Sequence, residues 1–161
     1  MGPFSPFNLS LAVFLAFLSL QGADSSCPRG WLKRDNQCFG FFNVALKWHD
    51  AEVACQAFGE NGHLASIHDE DDMKMLSLHL SQNLKEEQHI WIGLYDPNTG
   101  SEHNRQFKWT DGTTGRYNPW APEEPNNPRT EHCVELYSQD YMKWNDEICT
   151  VNHPYLCKYT L

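Results

Sequence analysis

The chain has 161 residues, a formal net charge of −9 and a hydrophobic fraction of 40%. That length suits one domain. The acidic balance argues against nucleic acid or an anionic membrane surface as a partner, because their phosphates repel it.

In chain order, the first feature is an apolar run from Leu9 to Leu20. It is shorter than the roughly 20 residues that a bilayer span needs. Residues 1–23 are therefore read as a secretory signal peptide and 24–161 as one mature, secreted domain, with no membrane insertion expected. The only Asn-x-Ser/Thr site, at Asn8, falls inside that leader. All six cysteines lie beyond it: Cys27, Cys38, Cys55, Cys133, Cys149 and Cys157. An even number behind a leader suggests disulfides, but spacing alone leaves every pairing open.

After Cys27 the segment from Gly30 to Phe42 reads as a small β-hairpin. Residues 47–58 repeat apolar positions at helical spacing, with Trp48, Ala51, Val53 or Ala54, Cys55 and Phe58 facing inward and Gly59 as a stop. His63 to Ile67 alternates as a strand does. Residues 69–84 predict a second helix with Met73, Leu76, Leu80 and Leu84 on one face, and Asp69-Glu70-Asp71-Asp72 reads as its acidic first turn. Ile90 to Leu94 is an apolar run of buried-strand length. From Asp96 to Asn127 small polar and turn residues dominate, yet Phe107, Trp109, Tyr117 and Trp120 argue against disorder. Cys133–Leu136, Met142–Trp144 and Pro154–Cys157 read as further short strands. Helices followed by strands and one long loop give an α+β fold. Trp91, Trp109, Trp120 and Trp144 are expected in the core, and His132 as a solvated loop histidine.

The chemistry concentrates in five oxygen-bearing residues: Glu124, Asn126, Glu131, Asn145 and Asp146. Calcium takes six to eight oxygen ligands from carboxylates, amide carbonyls, backbone and water. These five supply most of such a shell. A cis bond before Pro125 would turn Glu124 and Asn126 toward one ion. A Cys133–Cys149 bond would bring Glu131 close to Asn145-Asp146. The competing reading is an ordinary turn, since Asn, Asp and Pro are common turn residues.

Cys27-Pro-Arg-Gly-Trp31, Trp91-Ile92-Gly93-Leu94, Glu124-Pro125-Asn126, Trp144-Asn145-Asp146 and the cysteine order together resemble the long form of the C-type lectin domain, from Cys27 to the C-terminus. The resemblance implies the pairs Cys27–Cys38, Cys55–Cys157 and Cys133–Cys149. It also implies a C-type lectin-like fold of two helices and two small antiparallel sheets with a long calcium-binding loop. Size and signal peptide are similar to the soluble single-domain lectins of snake venom. Carried over by position, Glu124, Asn126, Glu131, Asn145 and Asp146 match the principal calcium ligands, and Glu124, Asn126, Glu131 and Asn145 would also hydrogen-bond sugar hydroxyls. In the family Glu-Pro-Asn accompanies mannose-type sugars and Gln-Pro-Asp accompanies galactose. Two departures stand out. The loop from Asn126 to Cys133 is one residue shorter than in collagen-type mannose-binding lectins. Asn127 and His132 replace acidic ligands of an auxiliary calcium site, where Asp96 and Glu102 remain as candidates, so no strong second calcium is expected.

The expected function is a secreted Ca2+-dependent lectin for mannose-type glycans on glycoproteins or cell surfaces. Agglutination would need a homo-oligomer, held non-covalently because all six cysteines pair internally. The alternative is a venom toxin of this fold that binds a protein of haemostasis or a cell receptor without binding sugar. No enzyme is expected: Gly-x-Ser-x-Gly, an unpaired Cys/His combination and a carboxylate pair outside the five-residue set are all missing from the sequence.

Overall fold

The computed structural model describes residues 26–59, 61–98, 104–137 and 139–161. The leader assigned to residues 1–23 and the auxiliary candidate Glu102 fall outside them. Strands β1 (Leu32–Arg34) and β2 (Gln37–Leu46) form the expected hairpin, pinned by Cys27–Cys38. Helix α1 (Trp48–Gln56), β3 (His63–Leu64) and α2 (Glu70–Asn83) follow. The sheet continues with β4 (Ile90–Tyr95), β5 (Lys108–Trp109), β6 (Cys133–Tyr137), β7 (Lys143–Glu147) and β8 (His153–Thr160). Strand order is β1-β2-β8-β4-β6-β7, with β3 on β8 and β5 on β4. Two antiparallel groups are thus joined by one parallel pairing, Trp91 opposite Tyr155.

Helix α2 starts where the sequence places it. Asp69 caps it by accepting from the Asp72 amide at 2.7 Å, and Arg34 pairs with Asp72 at 2.9 Å. Met73, Leu76 and Leu80 are fully buried, and Leu84 packs at the edge. Helix α1 corrects the periodicity. Its inner face is Trp48, Ala51, Glu52 and Cys55, while Val53 is exposed and Phe58 lies partly exposed against Trp31 and Phe42. A carboxylate is tolerated inside because it is fully engaged: Glu52 accepts from the Leu64 amide at 2.9 Å and Gln56 at 3.0 Å, and contacts His63 at 2.7 Å.

Gly93 explains the Trp-Ile-Gly-Leu run. A Cβ there would sit 2.5 Å from the Leu64 carbonyl, so only glycine lets β4 approach β3 this closely. Cys55–Cys157 ties α1 to β8 and Cys133–Cys149 ties β6 to the turn after β7, as the resemblance implied. Trp91 and Trp144 are fully buried and Trp109 nearly so, whereas Trp120 is only partly covered. Trp144 anchors the long loop: Trp109, Tyr117 and Trp120 meet its ring edge-on at 5.5, 5.8 and 5.9 Å. The backbone closes around it, Ala121 donating to the Trp144 carbonyl at 2.8 Å and Trp144 to that of Pro119 at 3.0 Å. At the opposite edge Leu161 and Asn36 exchange hydrogen bonds of 2.8 and 2.9 Å.

Candidate functional site

The anchoring of the long loop on Trp144 sets Glu124 and Asn126 beside β7, whose next two residues are Asn145 and Asp146. The Glu124–Pro125 bond is cis. Asn126 Nδ2 donates to Glu124 Oε1 at 2.8 Å, and the Asn126 amide donates to Asp146 Oδ1 at 2.9 Å. Glu131 joins from the other limb of the loop, its Oε2 accepting from Asn127 Nδ2 at 3.0 Å. Glu124, Asn126, Glu131 and Asp146 are therefore brought together. Asn145 stands apart in one respect: its amide nitrogen donates to Glu135 Oε1 at 2.9 Å, across the β6–β7 pairing, which leaves its carbonyl oxygen as the group it can offer a cation.

Two acceptors in this group have no hydrogen-bond partner although they are buried: Glu124 Oε2 and Asn126 Oδ1. An orphaned buried acceptor costs about 1–3 kcal/mol. Both are hard oxygens of the kind calcium prefers, and two carboxylates stand alongside. Burial and the nearby Asp146 carboxylate push the Glu124 carboxyl up to about 7. Burial, then Asp146 and Glu147, raise Glu131 as well, against the opposing pull of Asn127 and Arg105. Carboxylates that disfavour one another's charge in this way are electrostatically suited to a shared cation. The donor set fits calcium.

The auxiliary position holds a residue that spacing did not single out. The Arg105 guanidinium pairs with Asp96 at 3.2 Å and with Asp146 at 2.5 Å, and it donates to the backbone carbonyls of Asn126, at 2.8 Å, and Glu131. Both carboxylates are fully buried. Asp96 is thus already paired with a built-in cation. Nothing in the local sequence separates Arg105 from Lys108 or Arg116, which share the loop. His132 is corrected too: it is half-buried, its Nδ1 shielded, and its backbone is hydrogen-bonded to Asp96 and Glu147.

Among the described residues no helix is long and apolar enough to cross a membrane, and no cysteine is free. The family profile described as the lectin C-type domain matches residues 44–159. A C-type lectin from Cerberus rynchops is 41% identical over 95% of this chain and 96% of its own. The C-type lectin lectoxin-Enh5 from Pseudoferania polylepis is 40% identical over the whole of both chains. Among solved structures, the cow C-type carbohydrate-recognition domain of CD23, crystallised in the presence of a GlcNAc2Man3 oligosaccharide, superposes with a TM-score of 0.70 at 29% identity, covering 85% of this chain and 98% of that one. Fold, disulfides and sequence relatives agree that this chain belongs to the C-type lectin family.

Proposed function

We propose that this domain is a secreted, calcium-dependent lectin of mannose-type specificity, made with residues 1–23 as its signal peptide. The observation that supports this most directly is the pair of buried, partnerless oxygens, Glu124 Oε2 and Asn126 Oδ1, in a group where the Asp146 and Glu131 carboxylates act on Glu124. A protein-binding surface has no need of such a set. Bound calcium would supply a positive centre that accepts sugar hydroxyl oxygens in place of water. Glu124, Asn126, Glu131, Asn145 and Asp146 would hold it.

This chain's side chains would do the discriminating. Ionised Glu124 can only accept a hydroxyl proton, whereas the Asn126 amide can donate while its oxygen ligates. The order acceptor–Pro–donor selects one arrangement of neighbouring hydroxyls, and the Glu-Pro-Asn order is the mannose-type one in the family the chain belongs to. A single shallow site binds weakly, with a Kd of about 1 mM. Agglutination would therefore rely on a multivalent, non-covalent assembly, consistent with the internal pairing of every described cysteine.

The test is retention on immobilised mannose and on immobilised galactose, with calcium and with EDTA. The expected result is calcium-dependent retention on mannose alone, and transfer of that preference to galactose in the E124Q/N126D double variant. Retention in excess EDTA would rule out the calcium mechanism. No retention on either sugar would leave a protein-binding domain as the reading.

A further inference from the structure

On the other face of β7 from Asp146 lies a second group of ligating side chains, contributed by β6, β7 and the start of β8. Glu135, Glu147 and His153 each offer one ligand atom, and the three atoms lie within 4.8 Å of one another. The centre of the group is Glu135, whose side chain is completely buried. Its Oε1 is saturated, contacting His89 Nδ1 at 2.5 Å and accepting from Asn145 Nδ2 at 2.9 Å. Its Oε2 faces His153 Nε2 at 3.0 Å. Both atoms are buried, and each has only the other as a neighbouring polar partner. The His153 ring is held in place by stacking on His89 at 5.6 Å and an edge contact with Trp91 at 4.7 Å. Glu147 is half-exposed at the strand end, one oxygen accepting from the Ile148 amide at 2.7 Å.

We propose that Glu135, Glu147 and His153 form a binding site for a zinc-class divalent ion, next to the proposed calcium cluster and joined to it through Asn145. Metal bonds of about 2.0–2.1 Å to nitrogen and oxygen place tetrahedral ligands about 3.3 Å apart, close to the separation already present between Glu135 Oε2 and His153 Nε2. One ion between these two buried atoms would ligate both at once. The imidazole donor and the low number of oxygens disfavour calcium and magnesium, which want six or more hard ligands. Two carboxylates neutralise the ion, and the fourth position stays open to water. The remaining oxygen of Glu135 is steered by His89 and Asn145, the supporting hydrogen bonds that orient metal-ligating carboxylates. Glu147 offers the third ligand atom, within 4.8 Å of the other two.

The experiment is calorimetric titration of ZnCl2 into the intact, untagged protein in saturating calcium, which keeps zinc out of the calcium cluster. One equivalent of zinc should bind, and His153→Gln and Glu147→Gln should each weaken it about tenfold or more. Both substitutions sit at partly exposed positions, so they spare the buried Glu135. Co2+ added to the unmodified protein should give the visible absorption of a tetrahedral site, a readout that depends on no variant. Absence of zinc binding, binding that either variant leaves unchanged, or an octahedral cobalt spectrum would each overturn the proposal.

Discussion

At the scale of single residues, Arg105 has the largest consequence. Its charge lies between two fully buried carboxylates, Asp96 and Asp146, and it also holds the backbone of Asn126 and Glu131. It therefore orders both limbs of the proposed calcium loop from a position that makes no use of calcium. Removing one partner of a buried ion pair typically costs about 3–5 kcal/mol, because the other charge is left uncompensated. Arg105→Met keeps an apolar stem but removes the guanidinium, and with it the charge and its contact over the Phe107 ring. The expected outcome is a large loss of thermal stability in EDTA and a much smaller loss in calcium, since a cation can then enter between Asp96 and Asp146. Melting curves with and without calcium check this. An equal loss in both conditions would mean that the arginine is only packing.

At the scale of elements, the junction of β3, β8 and the long loop depends on a buried polar knot. Lys158 of β8 pairs with Asp111 at 3.0 Å and donates to Ser66, which donates to Asp111 at 2.5 Å. Burial alone would raise the Asp111 carboxyl, but hydrogen bonds from Ser66 and Thr113 and the charge of Lys158 overcome it and hold it at about 2, below the ordinary 3.8. A carboxyl depressed in the folded state stabilises at every pH above its unfolded value, and that contribution disappears as pH falls toward about 2. The shift corresponds to about 2 kcal/mol. Asp111→Asn should therefore unfold at lower urea than the parent at pH 7, and the two should converge near pH 2. Denaturant midpoints at both pH values decide it. None of this knot was legible in the sequence, because Ser66, Asp111 and Lys158 lie 45 or more positions apart from neighbour to neighbour. What was legible follows local rules. Met73, Leu76 and Leu80 repeat with the helix, Ile90 to Leu94 reads as a buried strand, and Glu124-Pro125-Asn126 carries its chemistry within three residues. Periodicity failed at α1, where Val53 fits the apolar pattern as well as its neighbours. The inward place goes to Glu52 because His63 and the Leu64 amide, contributed by β3, are there to receive it. The proposed calcium cluster was readable as a set of residue types, but the orientation of Asn145 toward Glu135 was set by cross-strand pairing that spacing does not reveal.

At the scale of the whole molecule, Cys55–Cys157 closes the longest covalent loop, with a sequence separation of 102. Chain-entropy arguments assign about 4.7 kcal/mol to a loop of about 100 residues, against a total stability of about 5–15 kcal/mol for a typical domain. Replacing both cysteines by alanine should leave the protein largely unfolded at 37 °C, whereas the same exchange at Cys27 and Cys38, which close a separation of 11, should be survivable. Circular dichroism of the two double variants separates these outcomes. The sheet order has a practical reading as well. β1 stands at one edge and β7 at the other, with Leu161 fastened to Asn36 beside β1 and the proposed calcium cluster beside β7. Five inter-strand steps of about 4.8 Å put about 24 Å between them. A biosensor linker attached after Leu161 would thus leave from the edge remote from the loop, and a chip coated in this way would present the proposed sugar-binding face outward.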